Sequence, residues 1–151
     1  MAGLTNKYVE DFGRKHCKNF IGTFPCNILP DVEENDIFSL VFNESRHDEE
    51  GSHFVAIFAT KNDIYYFDSL GLKCENKYIL SFLNSSGRKI IENKIQIQSY
   101  DSIFCGYFCL TFIIYMTKQY EYKKYFKIFC KNNLKLNDII VVEMLLKMIK
   151  Q

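Results

Sequence analysis

Apolar positions along the chain fall into two spacings, and the expected elements follow from them. Residues 5–15 place Tyr8, Val9 and Phe12 on one helical face behind Thr5 as a cap, so a short amphipathic helix is predicted, weakened at its end by Gly13. Residues 19–30 contain Gly22, Pro25 and Pro30 and read as an irregular connecting segment whose apolar part, residues 20–24, packs onto the body. Residues 37–42, 54–59 and 64–67 are apolar runs of strand length. A polar hairpin, residues 43–51 with Asp48, Glu49 and Glu50, is expected before His53. The pair Asn62-Asp63 makes a tight turn, so the strands flanking it are antiparallel neighbours. That pairing brings His53, at the start of one strand, close to Asp68, at the end of the other.

In the second half, residues 75–83 read as a helix closed by the polar residues 84–87. Residues 94–99 alternate Lys-Ile-Gln-Ile-Gln and form the cleanest period-two segment, predicting a strand. Residues 103–116 are the longest apolar run. They fall short of the roughly 20 residues a membrane span needs, so they predict a buried core helix that begins at Cys105 and reaches about Lys118. A lysine- and aromatic-rich helical stretch is expected over 121–131, and a last helix from Asn137 or Asp138 as cap to Lys150.

A length of 151 residues fits one domain, 1–151, large enough for a real core. The net charge of +1 removes any global electrostatic case for a nucleic-acid or membrane partner. The lysines thickening towards the C-terminal third read as a solvated helix face. No apolar stretch follows the first charged residue, so no leader is read there, and six cysteines without one point to reduced thiols in a cytosol or nucleus. No Cys-x-x-Cys and no His at zinc-ligand spacing occurs, so no metal is expected.

Four residues in order carry candidate chemistry: His53, Asp68, Gln98 and Cys105. A cysteine at a helix start meets unpaired N–H groups and the positive dipole end, which favour thiolate, the nucleophilic form. An imidazole in reach accepts its proton and later donates it to a leaving amine. A carboxylate on the other ring nitrogen fixes the tautomer, and the expected arrangement has His53 Nδ1 on Asp68 and the second nitrogen on Cys105. The Gln98 amide and the Cys105 backbone N–H can donate to an oxyanion. Gly106 removes bulk where a substrate main chain would approach, and Cys109, one turn on, is expected in the core. Taken singly, each residue has an ordinary structural reading: a satisfied histidine, a turn aspartate, a polar-face glutamine, a small core cysteine.

The segments Gly51-Ser52-His53-Phe54-Val55-Ala56, Tyr66-Phe67-Asp68-Ser69-Leu70-Gly71, and Gln98 with Cys105-Gly106-Tyr107-Phe108-Cys109 resemble the adenovirus maturation protease (adenain-like) family of cysteine endopeptidases. That family shares a clan with the SUMO- and ubiquitin-like-modifier proteases. The resemblance covers roughly residues 8–115 and includes the N-terminal Phe20-Ile21-Gly22-Thr23-Phe24. It implies His53 as base, Asp68 as orienting acid, Cys105 as nucleophile, Gln98 with the Cys105 N–H as oxyanion hole, and Phe54 and Gly106 in the substrate cleft. It also implies an α+β fold: a central mixed β-sheet carrying His53 and Asp68, packed against the buried helix that starts at Cys105, with further N- and C-terminal helices.

The implied function is cleavage of viral capsid or core precursor proteins during particle maturation, by a monomer in the host cytoplasm or nucleus and in the virion. Phe54 stands where the family usually has tryptophan, and Asp68 where adenoviral members often have Glu. No cofactor is required on sequence grounds. The resemblance allows an activating viral peptide or DNA, but the chain has no cysteine between Cys74 and Cys105 for the family's covalent peptide link, and its charge is far from the strongly basic DNA-dependent members. Three alternatives remain open at the level of sequence. One is a modifier-removing isopeptidase of the same clan, whose substrate tunnel is usually roofed by a tryptophan that this chain lacks; the others are a clan-related acyltransferase and a non-enzymatic capsid-associated domain.

Overall fold

The structure, a computed structural model, describes residues 3–32, 35–45 and 53–150. It has an α+β fold built on one five-stranded mixed sheet in the order β1-β2-β3-β4-β5. The strands are β1 (Phe20–Pro25), β2 (Phe38–Asn43), β3 (Phe54–Ala59), β4 (Asp63–Phe67) and β5 (Lys89–Glu92). The helices are α1 (Asn6–His16), α2 (Lys77–Ser85), α3 (Cys105–Thr117), α4 (Tyr122–Lys127) and α5 (Leu134–Met148). β2, β3 and β4 are antiparallel in turn, while β1 and β5 join the two edges in parallel.

Every residue of β2 and β3 is buried, which explains their unbroken apolar runs: these strands are covered on both faces. Alternate residues of β3 serve different cores. Phe54, Ala56 and Phe58 face α3, whereas Val55, Ile57 and Ala59 pack with Ile79, Phe82 and Leu83 of α2. α3 is buried over almost its whole length, as its apolar circumference demands. Its Phe112 stacks on Phe67 of β4 at 4.4 Å between ring centroids and 8° between planes. This contact pins the helix that begins at Cys105 to the strand that leads into Asp68. Among the described residues, no helix is long and apolar enough to cross a membrane.

The structure departs from the sequence expectations in four places. Residues 20–25 are an edge strand rather than an irregular connection; only one side of an edge is paired, so Gly22 beside a register shift and Pro25 at the end are tolerated. Residues 94–99 belong to no strand, and the strand is instead β5, just before them. No ladder forms over them, and the N–H groups at 97 and 98 reach the 68–71 turn instead. Ile97 and Gln98 both donate backbone N–H to the Ser69 carbonyl, at 2.9 and 3.0 Å. α4 is shorter than the expected 121–131. Finally, α5 begins at Leu134 under an Asn133 cap, because Asn137 is fully buried as a tie between segments. The expected hairpin over 43–51 lies largely outside the described residues, as does its acidic run. The helix over 5–15 is present as α1, with the Thr5 side chain accepting from Tyr8 N at 3.2 Å. Gly13 there makes room for the Phe20 ring, which would stand 2.3 Å from any Cβ.

Candidate active site

His53 immediately precedes β3 and Asp68 immediately follows β4, at the same end of an antiparallel pair whose register runs to Ala56↔Phe67. His53 Nε2 lies 2.8 Å from Asp68 Oδ1, with the His53 side chain 14% exposed and that of Asp68 3%. The nitrogens are exchanged relative to the sequence expectation. Nε2 is the far atom of the ring, so Asp68 stands at the longer reach, and Nδ1 lies nearer the backbone. Either ring nitrogen can carry the proton, so the pair keeps its chemistry with the roles reversed.

Asp68 is held from three directions. Its Oδ1 also accepts the Leu70 N–H at 2.9 Å. Asn93, buried just past β5, accepts from Asp68 N at 3.0 Å and donates to the Asp68 carbonyl at 2.6 Å. The turn that follows closes with Gly71 N donating to the same carbonyl at 2.8 Å. Gly71 has φ +71°, and a Cβ there would lie 2.8 Å from the Gln96 nitrogen, so only glycine lets this turn press against the 95–98 segment.

Gln98 is reached from the same turn. The Ser69 hydroxyl donates to Gln98 Oε1, so the amide orientation is fixed. Gln98 Nε2 donates one hydrogen to the Ser102 carbonyl at 3.1 Å and retains a second. α5 then ties down the loop leading to Cys105. Asn137 Nδ2 donates to the Ile97 carbonyl at 2.8 Å, and Ser102 Oγ donates to Asp138 Oδ1 at 2.8 Å.

Cys105 is the first residue of α3, 8% exposed, and Phe104 before it provides no side-chain cap. Among the described residues, the N–H groups of Cys105 and Gly106 have no acceptor. This is the uncapped, positive helix end at which an anion is favoured. Burial by itself would lower the His53 pKa, but the hydrogen bond to Asp68, the interaction with the Cys105 sulfur and the charges of both raise it to about 10. The imidazole is therefore held as imidazolium at neutral pH. Cys109 is wholly buried, and burial pushes its thiol well above the ordinary range. All six cysteines are free thiols.

A cleft of about 630 Å³ is lined by His53, Phe54, Gln98 and Cys105 together with residues 3–6. Behind the His53–Asp68 pair lies a second cleft, bordered by Glu44, Lys73 and Glu75. The structure thus brings His53, Phe54, Gln98 and Cys105 around one cleft, with Asp68 behind His53 on the second. Gly106 differs from its expected role. It is buried, and the volume beside it holds Leu4 and Phe54, which a Cβ at Gly106 would meet at 3.2 and 3.4 Å. Residues that the sequence reading did not assign to the site are Asn93, Ser69, Asn137 and Leu4. Ser69 was legible only as part of the Asp-Ser-Leu-Gly turn, and Asn137 only as a helix cap.

No family model matches the chain, and no curated protein matches it. Among solved structures, the crystal structure of selenomethionine ASFV pS273R protease is similar to it, with a TM-score of 0.49 and 18% identity, over 68% of this chain and 43% of that one. The chain therefore aligns with less than half of that protein's length. The functional reading rests on the geometry of the chain itself.

Proposed function

We propose that the chain is a cysteine endopeptidase. The observation that carries this reading is an imidazole bonded to a buried carboxylate through Nε2, leaving Nδ1 for a cysteine at an uncapped helix start. The Cys105 thiolate attacks the scissile carbonyl, forming the C–S bond and an oxyanion. The Cys105 N–H and the second Gln98 amide hydrogen donate to that oxyanion. His53 passes its proton to the leaving amine as the C–N bond breaks, and Asp68 supports the imidazolium throughout. Water, giving a proton back to His53, then hydrolyses the thioester and releases the second product. Phe54 forms an apolar wall of the cleft.

The motif resemblance around His53, Asp68, Gln98 and Cys105 supports a narrower reading: cleavage of viral structural precursor proteins during particle maturation, in the infected cell and the virion. An activating peptide, if one acts, binds without the family's disulfide. The test is cleavage of precursor peptides with glycine beside the scissile bond. Cys105→Ala and Cys105→Ser should abolish turnover, whereas Cys109→Ser should retain it; cleavage that persists in Cys105→Ala overturns the assignment.

A further inference from the structure

Residues 3–6 form one side of the cleft that holds Cys105, and nothing in the proposed mechanism uses them. This strap is fixed at its far end. Thr5 caps α1, Val9 N donates to the Thr5 carbonyl at 3.0 Å, and Asn6 Oδ1 accepts from Asn43 Nδ2 at 3.3 Å. At the near end Gly3 lies against the loop before Cys105, where an added Cβ would stand 2.6 Å from the Ile103 carbonyl oxygen. Between these anchors the Leu4 side chain rests on the first turn of α3. Its Cβ and Cδ1 would lie 3.2 and 3.4 Å from a Cβ at Gly106, with Phe54 Cδ2 also at 3.4 Å.

Leu4 and Phe54 therefore both stand against Gly106 and line the same cleft as Cys105, whose residue is 8% exposed. Phe54 belongs to a strand covered on both faces and has no room to withdraw. Leu4 sits on a single strap, half-buried at the edge of the core. We propose that Leu4 is the residue that sets the size of the group able to reach Cys105. A slim group reaches the sulfur past the side chain as it stands, whereas a wide group requires the strap to shift. Selectivity at this point comes from the bulk of Leu4, because an extra or missing methylene in an apolar pocket changes discrimination by roughly ten- to two-hundredfold. The inference rests on Cys105 as the reacting thiol of the proposed site.

Alkylation tests it without requiring proteolysis. Cys105 modification is followed by mass spectrometry in the full chain with iodoacetamide and with fluorescein maleimide, in wild type, Leu4→Ala and Leu4→Phe. Leu4→Ala should raise the maleimide rate at Cys105 about tenfold relative to iodoacetamide, and Leu4→Phe should lower that ratio. The buried Cys17, Cys74 and Cys109 should stay unmodified throughout, and so report any general loosening of the fold. If Leu4→Ala exposes them, the Leu4→Phe ratio decides. An unchanged ratio in a variant that keeps those thiols protected, or equal changes for both reagents, overturns the proposal. A shifted ratio in a protein that cleaves no peptide would leave Leu4 as the gate and remove the endopeptidase reading; cleavage with an unshifted ratio would do the reverse.

Discussion

His53 Nε2 and Asp68 Oδ1 lie 2.8 Å apart although 15 residues separate them in the chain, because β3 and β4 return the backbone to the same end of the sheet. The carboxylate also accepts the Leu70 N–H, so its orientation is set before the imidazole meets it. Replacing Asp68 by Asn keeps the shape but removes the charge that supports the imidazolium. Asp68→Asn is expected to lower kcat roughly a thousandfold or more, with KM little changed. It should also lower the His53 pKa, which an NMR titration of the ring measures directly; a His53 titration unmoved by the substitution would contradict the assigned role.

The raised His53 pKa has a consequence for stability with a definite sign. The folded-state value is about 10 against an ordinary 6.5. Folding therefore gains from the protonated ring, fully so below about pH 6.5, and that gain fades as pH climbs towards 10. Thermal melts of wild type and His53→Gln across this range isolate the contribution. The wild-type advantage in Tm should shrink as pH rises from 6.5 to 10. An advantage that grew with pH would mean that the ring is buried neutral.

Asn93 acts on the site only through Asp68. Its side chain accepts from the Asp68 N–H and donates to the Asp68 carbonyl; truncation leaves the buried Asp68 N–H unpaired, while the carbonyl keeps the Gly71 N–H. Asn93→Ala should cost about 1–3 kcal/mol of stability for that orphaned donor. As a positioning change it should depress kcat more than KM. Urea unfolding with steady-state kinetics checks both, and a loss of stability with kcat intact would make Asn93 a structural residue alone.

These residues also mark where the sequence was legible. Strands 54–59 and 64–67 could be read because apolar runs bounded by turn residues admit few alternatives, and their antiparallel pairing placed His53 beside Asp68. The helix beginning at Cys105 was equally clear from its length and uniform apolarity. By contrast, Asn93 and Asn137 act through pairing with main-chain groups 25 and 40 residues away, at Asp68 and Ile97, and an isolated asparagine carries no trace of such a partner. The alternation over 94–99 misled for a related reason. Period two records an extended backbone, whereas the partner that would make it a strand is a property of the fold. Leu4 was hidden in the same way, since its contact with Gly106 depends on where α1 docks.

Gln98 and Ser69 should behave as one unit. Gln98→Ala removes the proposed oxyanion donor and is expected to reduce kcat about a hundredfold. Ser69→Ala leaves Gln98 in place but frees its Oε1 from the hydroxyl that orients it, so a smaller loss of the same kind is expected. The double variant should be little worse than Gln98→Ala, because Ser69 contributes only through the amide it holds. Additive losses in steady-state kinetics would show that Ser69 acts independently.

Gly71 offers a test of how the two halves of the site are joined, because Gly87 provides its control. Both have a left-handed backbone, with φ +71° and +70°. An added Cβ at Gly87 meets nothing within 4 Å, so Gly87→Ala should show the backbone penalty alone, about 1–2 kcal/mol. At Gly71 the same atom would press on Gln96 N at 2.8 Å and the Ile95 carbonyl carbon at 2.9 Å, both main-chain atoms that cannot swing aside. Gly71→Ala should therefore cost about 1–3 kcal/mol more than Gly87→Ala in urea unfolding. The turn it distorts carries Asp68 and Ser69, and the segment it pushes leads into Gln98. Peptide cleavage should consequently fall in Gly71→Ala and remain near wild type in Gly87→Ala. Equal activity in the two variants would mean that the 68–71 turn and the Gln98 segment can separate without disturbing the chemistry.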